Sequence, residues 1–118
     1  MERFKAGTIV IVDWRGGALP KESNKLRPAV VVEDDGLFAP NYPNVIVVPL
    51  TEDAGLAMPD LSVVIDPTLG NGCTNRCYAL APSVGSVSMA RVRGTASRLT
   101  DEQVTRIRVL IAEAIGAG

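Results

Sequence analysis

Four short runs of β-branched residues constrain this chain more than anything else in it: TIVIVDW (Thr8 to Trp14), PAVVVED (Pro28 to Asp34), NVIVVPLT (Asn44 to Thr51) and LSVVID (Leu61 to Asp66). Each is bounded by Gly, Pro, Asn or Asp, and Val and Ile pack well on a pleated surface, so the runs read as strands. They are continuous in Val and Ile rather than strictly alternating. That pattern predicts burial on most of both faces, as in a small coiled barrel or a sheet with a helix across one side. A weaker run, CYALAPSVGSVSM (Cys77 to Met89), supplies one or two further strands, interrupted around Pro82 and Gly85 where a ladder must break.

The helix comes last. Thr100 followed by Gln103 has the form of a capping box, and Val104, Ile107, Leu110, Ile111, Ala114 and Ile115 recur at helical spacing until Gly116 stops the pattern. Arg106, Arg108 and Glu113 are too few for a basic membrane-binding face, so the apolar stripe is expected to pack on the sheet. At 118 residues and 47% hydrophobic, residues 1–118 are expected to form a single domain that folds without metal or disulfide.

The chain has no histidine, which removes Ser-His-Asp and Cys-His nucleophilic chemistry and leaves Arg, Lys, Asp, Glu and hydroxyls as the reactive groups. Cys73 and Cys77, four apart in NGCTNRCYA, lack the further ligands a zinc site needs and read as two reduced thiols in preference to a local disulfide. A net charge of −1 gives no broad electrostatic footprint for duplex nucleic acid, so any such contact must be local. No apolar run approaches the roughly 18 residues of a membrane span, and MERFKAG lacks the apolar core of a secretory signal; a soluble, cytoplasmic protein is expected.

The twelve residues RGGALPKESNKL, Arg15 to Leu26, are long for a hairpin connection and rich in Gly, Pro and charge. Long polar connections of this kind often carry function, and a plain surface loop is the competing reading. Directly after it comes Arg27. Pro28 biases Arg27 toward extended geometry at the mouth of the second strand. A guanidinium held there suits a phosphate, because its planar fork donates two parallel charge-assisted hydrogen bonds and stays protonated at any working pH. An ion pair with Glu22, Asp13 or Asp34 would explain the same residue.

Taken together, GTIVIVDW, the polar loop, LRPAVVVEDD, YPNVIVVPLTED and GTASRLTDEQVTRIRVLIAEAIG resemble the MazF/PemK family, the toxins of bacterial toxin–antitoxin pairs, over nearly the whole chain. The most diagnostic piece is the R-P before a β-branched strand, with a second strand ending in P-x-T about 24 residues on. The resemblance implies a mainly β fold, an SH3-like small barrel of the MazF/PemK/CcdB type with a C-terminal helix, in a homodimer. It implies a cofactor- and metal-independent endoribonuclease that cuts single-stranded RNA through the RNA's own 2′-hydroxyl, leaving a 2′,3′-cyclic phosphate and a 5′-hydroxyl. It also implies a cognate antitoxin with an acidic, disordered C-terminal tail, itself a DNA-binding repressor. Carried over, the family's catalytic arginine falls on Arg27, its strand-end threonine on Thr51, and an acidic residue used in some members on Glu22. Lys21, Lys25, Ser83 and Arg91, with Arg93, are the residues placed for RNA contact.

One departure stands out. Many members carry an Asp-Gln pair in the late strand, where this chain has Ala81-Pro82-Ser83-Val84, leaving Ser83, Ser86 and Ser88 as the nearest polar replacements. Two other functions remain open at this level: a toxin of the same fold that acts on DNA gyrase, and a catalytically silent binding domain. The gyrase-directed class uses a tryptophan at the end of its last helix, whereas this chain ends in AIGAG and its single tryptophan, Trp14, closes the first strand.

Overall fold

A computed structural model describes residues 3–14 and 26–118. Among them are seven strands and one α-helix: β1 (Thr8–Asp13), β2 (Leu26–Val31), β3 (Asn44–Thr51), β4 (Ser62–Ile65), β5 (Cys77–Leu80), β6 (Gly85–Ser88), β7 (Val92–Arg98) and α1 (Asp101–Ala114). The strands join in one antiparallel sheet of order β4-β5-β3-β2-β1-β7, with β6 on the first half of β3. The mainly β fold with a C-terminal helix is as expected. The barrel is approximate, because no pairing among the described residues joins β4 to β7 and the sheet is open.

Side-chain alternation along the central strands feeds two apolar clusters. Ile9, Val30, Val48 and Leu50 enter one; Val10, Val12, Ala29, Val31, Val45 and Val47 enter the other. The unbroken Val and Ile runs are explained by this, since the strands are covered on both faces. Helix α1 closes the first cluster with Val104, Ile107 and Leu110. Its capping box forms as read, with the Gln103 N–H donating to Thr100 Oγ1 and the Thr100 N–H donating to Gln103 Oε1. The stripe is shorter than expected: Ala114 and Ile115 are exposed, and Gly116 takes a φ of +78° that ends the helix.

Strand β7 has no counterpart among the apolar runs. VRGTASR is polar because among the described residues it pairs only with β1, at the sheet edge, and is mostly exposed, so burial never selected apolar residues there. The N-terminus is fastened by the Arg3–Glu33 pair, whose side chains are 9% and 2% exposed. Arg3 donates two hydrogen bonds to the Glu33 carboxylate, at 2.9 and 3.0 Å, and others to the Tyr42 and Asn44 carbonyls, beneath the Phe38 and Tyr42 rings.

Candidate functional site

The β2–β3 ladder runs from Val31–Val47 to Ala29–Pro49 and then stops. Pro28 and Pro49 stand at this point, and neither has an N–H to donate, so the ladder is starved of hydrogen bonds where the strands part. Beyond it β3 takes a new neighbour: Leu50 pairs with Ala79 and Thr51 with Tyr78 of β5.

A cleft of about 270 Å³ opens where the partners change. Ile9, Ile11, Pro28 and Leu50 give it an apolar floor, and Thr51, Glu52, Asn71, Asn75, Thr95 and Ser97 are among its polar walls. Three polar or charged residues are buried among the described ones, Glu33, Thr51 and Asn71. Glu33 is engaged by Arg3; the other two both line the cleft. Burial of a polar side chain carries a cost unless it is hydrogen-bonded. Thr51 Oγ1 accepts from the Asp53 N–H at 3.1 Å. Asn71 accepts from the N–H groups of Thr68 and Cys73 and donates to the Asp66 carbonyl, which folds the β4–β5 connection into a firm wall.

That wall is joined to the end of β3. Asn75 Nδ2 donates to Glu52 Oε1 at 3.2 Å, next to Thr51, and Arg76 pairs with Asp66 across the base of the connection. Gly72, at φ +67°, lies so close to Ser97 that a Cβ would collide with its hydroxyl oxygen. Cys73 and Cys77 are free thiols on the same wall, with their Sγ atoms 3.7 Å apart. Burial, and then the neighbouring Cys73, pushes the Cys77 thiol up to about 12.

Arg27 is the second residue of β2, partly buried, and pairs with Val12, while Pro28 beside it reaches the cleft. Arg27 and Thr51 lie two residues beyond the last β2–β3 pair, Ala29–Pro49, on the two strands that part there. On the other side of β1, Val12 pairs with Val92 and Ile11, a floor residue of the cleft, pairs with Arg93. Two strand spacings therefore separate the Arg27 and Arg93 rows, roughly 10 Å. Arg91 ends an exposed 3₁₀ turn, Met89–Arg91. Ser83 ends another, Ala81–Ser83, which packs against α1 and is not among the cleft residues. Glu22, Lys21 and Lys25 lie outside the described residues.

Asn71, Asn75, Glu52 and Thr95 do not stand out in the sequence as functional residues. The available signal was the polar connection PTLGNGCTNR, as long and as rich in turn residues as many functional loops. An apolar floor with amide and hydroxyl edges matches the chemistry of a flat, unpaired nucleobase, which presents an apolar face and a hydrogen-bonding rim.

The family model of the PemK-like, MazF-like toxin of type II toxin–antitoxin systems matches residues 5–115. Compared with the curated proteins, the chain has no significant match. Among solved structures, an endoribonuclease in complex with its cognate antitoxin from a Mycobacterial species superposes with a TM-score of 0.74 at 16% identity, covering 98% of each chain. MazF from Deinococcus radiodurans gives 0.74 at 17% identity over 96% of each chain. A MazE–MazF complex from the same organism gives 0.70 at 18% identity, covering 98% of this chain and 97% of that one. At these identities the superpositions establish the fold, while the match over residues 5–115 establishes the family. The chain belongs to the PemK-like, MazF-like toxins of type II toxin–antitoxin systems.

Proposed function

We propose that the chain is a metal-independent, sequence-specific endoribonuclease, the toxin of its pair, and that the cleft at the β2–β3 divergence receives a base of single-stranded RNA beside the bond that is cut. The observation that carries this is the meeting of Pro28, from the R-P pair, and Thr51, from the P-x-T strand end, in one cleft with a buried amide wall.

In the proposed reaction the ribose 2′-hydroxyl gives up its proton and attacks the adjacent phosphorus. The bond from phosphorus to the 5′-oxygen breaks, and that oxygen takes a proton. Arg27 holds the negative charge that builds on the non-bridging oxygens, which a permanently protonated fork does without reorganising. With Thr51 Oγ1 already accepting from Asp53, its hydroxyl proton is what Thr51 offers to a phosphate oxygen. Glu22 is the proposed acceptor of the 2′-proton, and Lys21, Lys25 and Arg93 the proposed phosphate contacts. Arg91 and Ser83 are weaker RNA contacts, given where their 3₁₀ turns lie. No cofactor enters the scheme.

The working form proposed is a cytoplasmic homodimer of the 1–118 domain, silenced by an antitoxin whose acidic, disordered tail occupies the same cleft region. The solved structure of an endoribonuclease in complex with its cognate antitoxin supports an antitoxin partner. Trp14 packs against the second core cluster behind β1, which speaks against the gyrase-directed alternative built on a helix-end tryptophan.

Expression in bacteria tests this. Growth should arrest, and RNA ends should accumulate at one short recurrent sequence, with neither effect from Arg27→Ala. Arrest without new RNA ends would contradict the ribonuclease reading.

A further inference from the structure

The β4–β5 wall carries two cysteines that the proposed reaction does not use. Cys73 is partly buried and Cys77, the first residue of β5, is buried; both line the cleft. Their sulfurs are 3.7 Å apart. Cys77 directly precedes Tyr78, the pairing partner of Thr51. Between the two cysteines lies Asn75, which ties the wall to Glu52.

We propose that Cys73 and Cys77 are a dithiol switch, whose oxidation by a hydroperoxide to an intramolecular disulfide remodels the cleft wall and suppresses RNA binding. This rests on the RNA reading above. A disulfide needs its sulfurs at about 2.05 Å, so closing the bond draws Cys73 toward β5 and carries Thr74 and Asn75 with it. Asn75 lies within that five-residue loop, so its hydrogen bond to Glu52, outside the loop, shifts with it. The cleft therefore changes shape beside Thr51 in particular.

The chemistry divides between the two sulfurs. Cys73, the more accessible, attacks the hydroperoxide as a thiolate. An S–O bond forms, the O–O bond breaks, and two electrons pass from sulfur to the peroxide, which leaves as an alcohol or as water after taking a proton. Cys77 then attacks the Cys73 sulfenic sulfur. The S–S bond forms, the S–O bond breaks, and the departing hydroxide takes the Cys77 proton and leaves as water. The raised Cys77 thiol agrees with this order, since a buried thiol that holds its proton firmly is a poor first nucleophile. A dithiol reductant reverses the step.

The test uses the full chain, reduced and then treated with hydrogen peroxide. Intact mass should fall by about 2 Da, with one linked peptide pair holding Cys73 and Cys77. Affinity for a short RNA made uncleavable by 2′-O-methylation should drop by about tenfold or more and return with dithiothreitol. Cys73→Ser should show no such drop relative to its own untreated state. Oxidation that yields no linked pair, or a linked form that binds the RNA as well as the reduced one, would overturn the proposal. Should the reduced protein bind no RNA, the ribonuclease reading fails instead, and the mass change together with slower amide exchange over residues 72–76 still decides whether the pair is a switch.

Discussion

Pro28 of β2 and Thr51 of β3 line one cleft although the ladder between their strands ends at Ala29–Pro49. The separation of the strands makes the site: had pairing continued, the space under Thr51 would be filled by backbone hydrogen bonds. Thr51→Val keeps the shape and removes the hydroxyl. It leaves the Asp53 N–H without its acceptor, at a cost of about 1 kcal/mol in stability. RNA cleavage should fall by about a hundredfold, the size of one transition-state hydrogen bond. Cleavage within twofold of wild type would remove Thr51 from the reaction.

Arg27→Ala should reduce cleavage by about 10²–10³-fold, and Arg27→Lys by nearly as much, because an ammonium cannot make the bidentate contact. Parallel urea melts should show both variants folded. A fully active lysine variant would mean that Arg27 supplies only general positive charge.

The Arg3–Glu33 pair offers a test of the fold apart from function. Arg3→Met leaves a buried carboxylate to which, among the described residues, only the Ile46 N–H still donates, which should cost about 3–5 kcal/mol in a urea unfolding curve. Replacing both residues with apolar ones of similar size should recover much of that loss. A single variant that costs less than about 1 kcal/mol would show the pair to be solvated.

How much of this was legible beforehand depended on what each residue was selected for. The β3 run, Asn44–Thr51, is legible in the sequence with its observed ends, because apolar burial and turn residues mark both. The Thr100–Gln103 cap was legible because it is local. Strand β7 was not: its pairing with β1 places it by long-range register and demands no apolar residues of VRGTASR. Arg27 and Thr51 could be singled out, but not the cleft between them, which arises from two prolines 21 residues apart in the sequence. Asn71 and Asn75 looked like ordinary turn residues, and only the folding of the β4–β5 connection turns them toward β3.

Gly72 and Gly116 both have positive φ, at +67° and +78°, but differ in surroundings. Gly116→Ala meets open space and should cost about 1 kcal/mol, the backbone term alone. Gly72→Ala adds a collision with Ser97 and should cost about 1–3 kcal/mol, with weakened RNA binding because the cleft wall moves. Equal melting curves for the two variants would contradict this.

The buried Cys77 makes stability depend on alkaline pH. Its thiol is held up to about 12 from 9.0, first by burial and then by Cys73, with Glu52 adding to the shift. The folded chain thus keeps a proton that the unfolded chain releases, so this contribution is intact below about pH 9 and is lost as pH climbs toward 12. Urea midpoints should fall more steeply over that window for the wild type than for Cys77→Val. Identical slopes would mean that the thiol ionises as it does in water.

The most direct measurement is made on purified protein and single-stranded RNA in excess EDTA, with the fragments weighed by mass spectrometry. Fragments should end in 2′,3′-cyclic phosphate and begin with 5′-hydroxyl, with no cleavage at a site whose 2′-hydroxyl is replaced by hydrogen. Fragments carrying 5′-phosphate, cleavage at the 2′-deoxy site, or intact RNA at every protein concentration would contradict it.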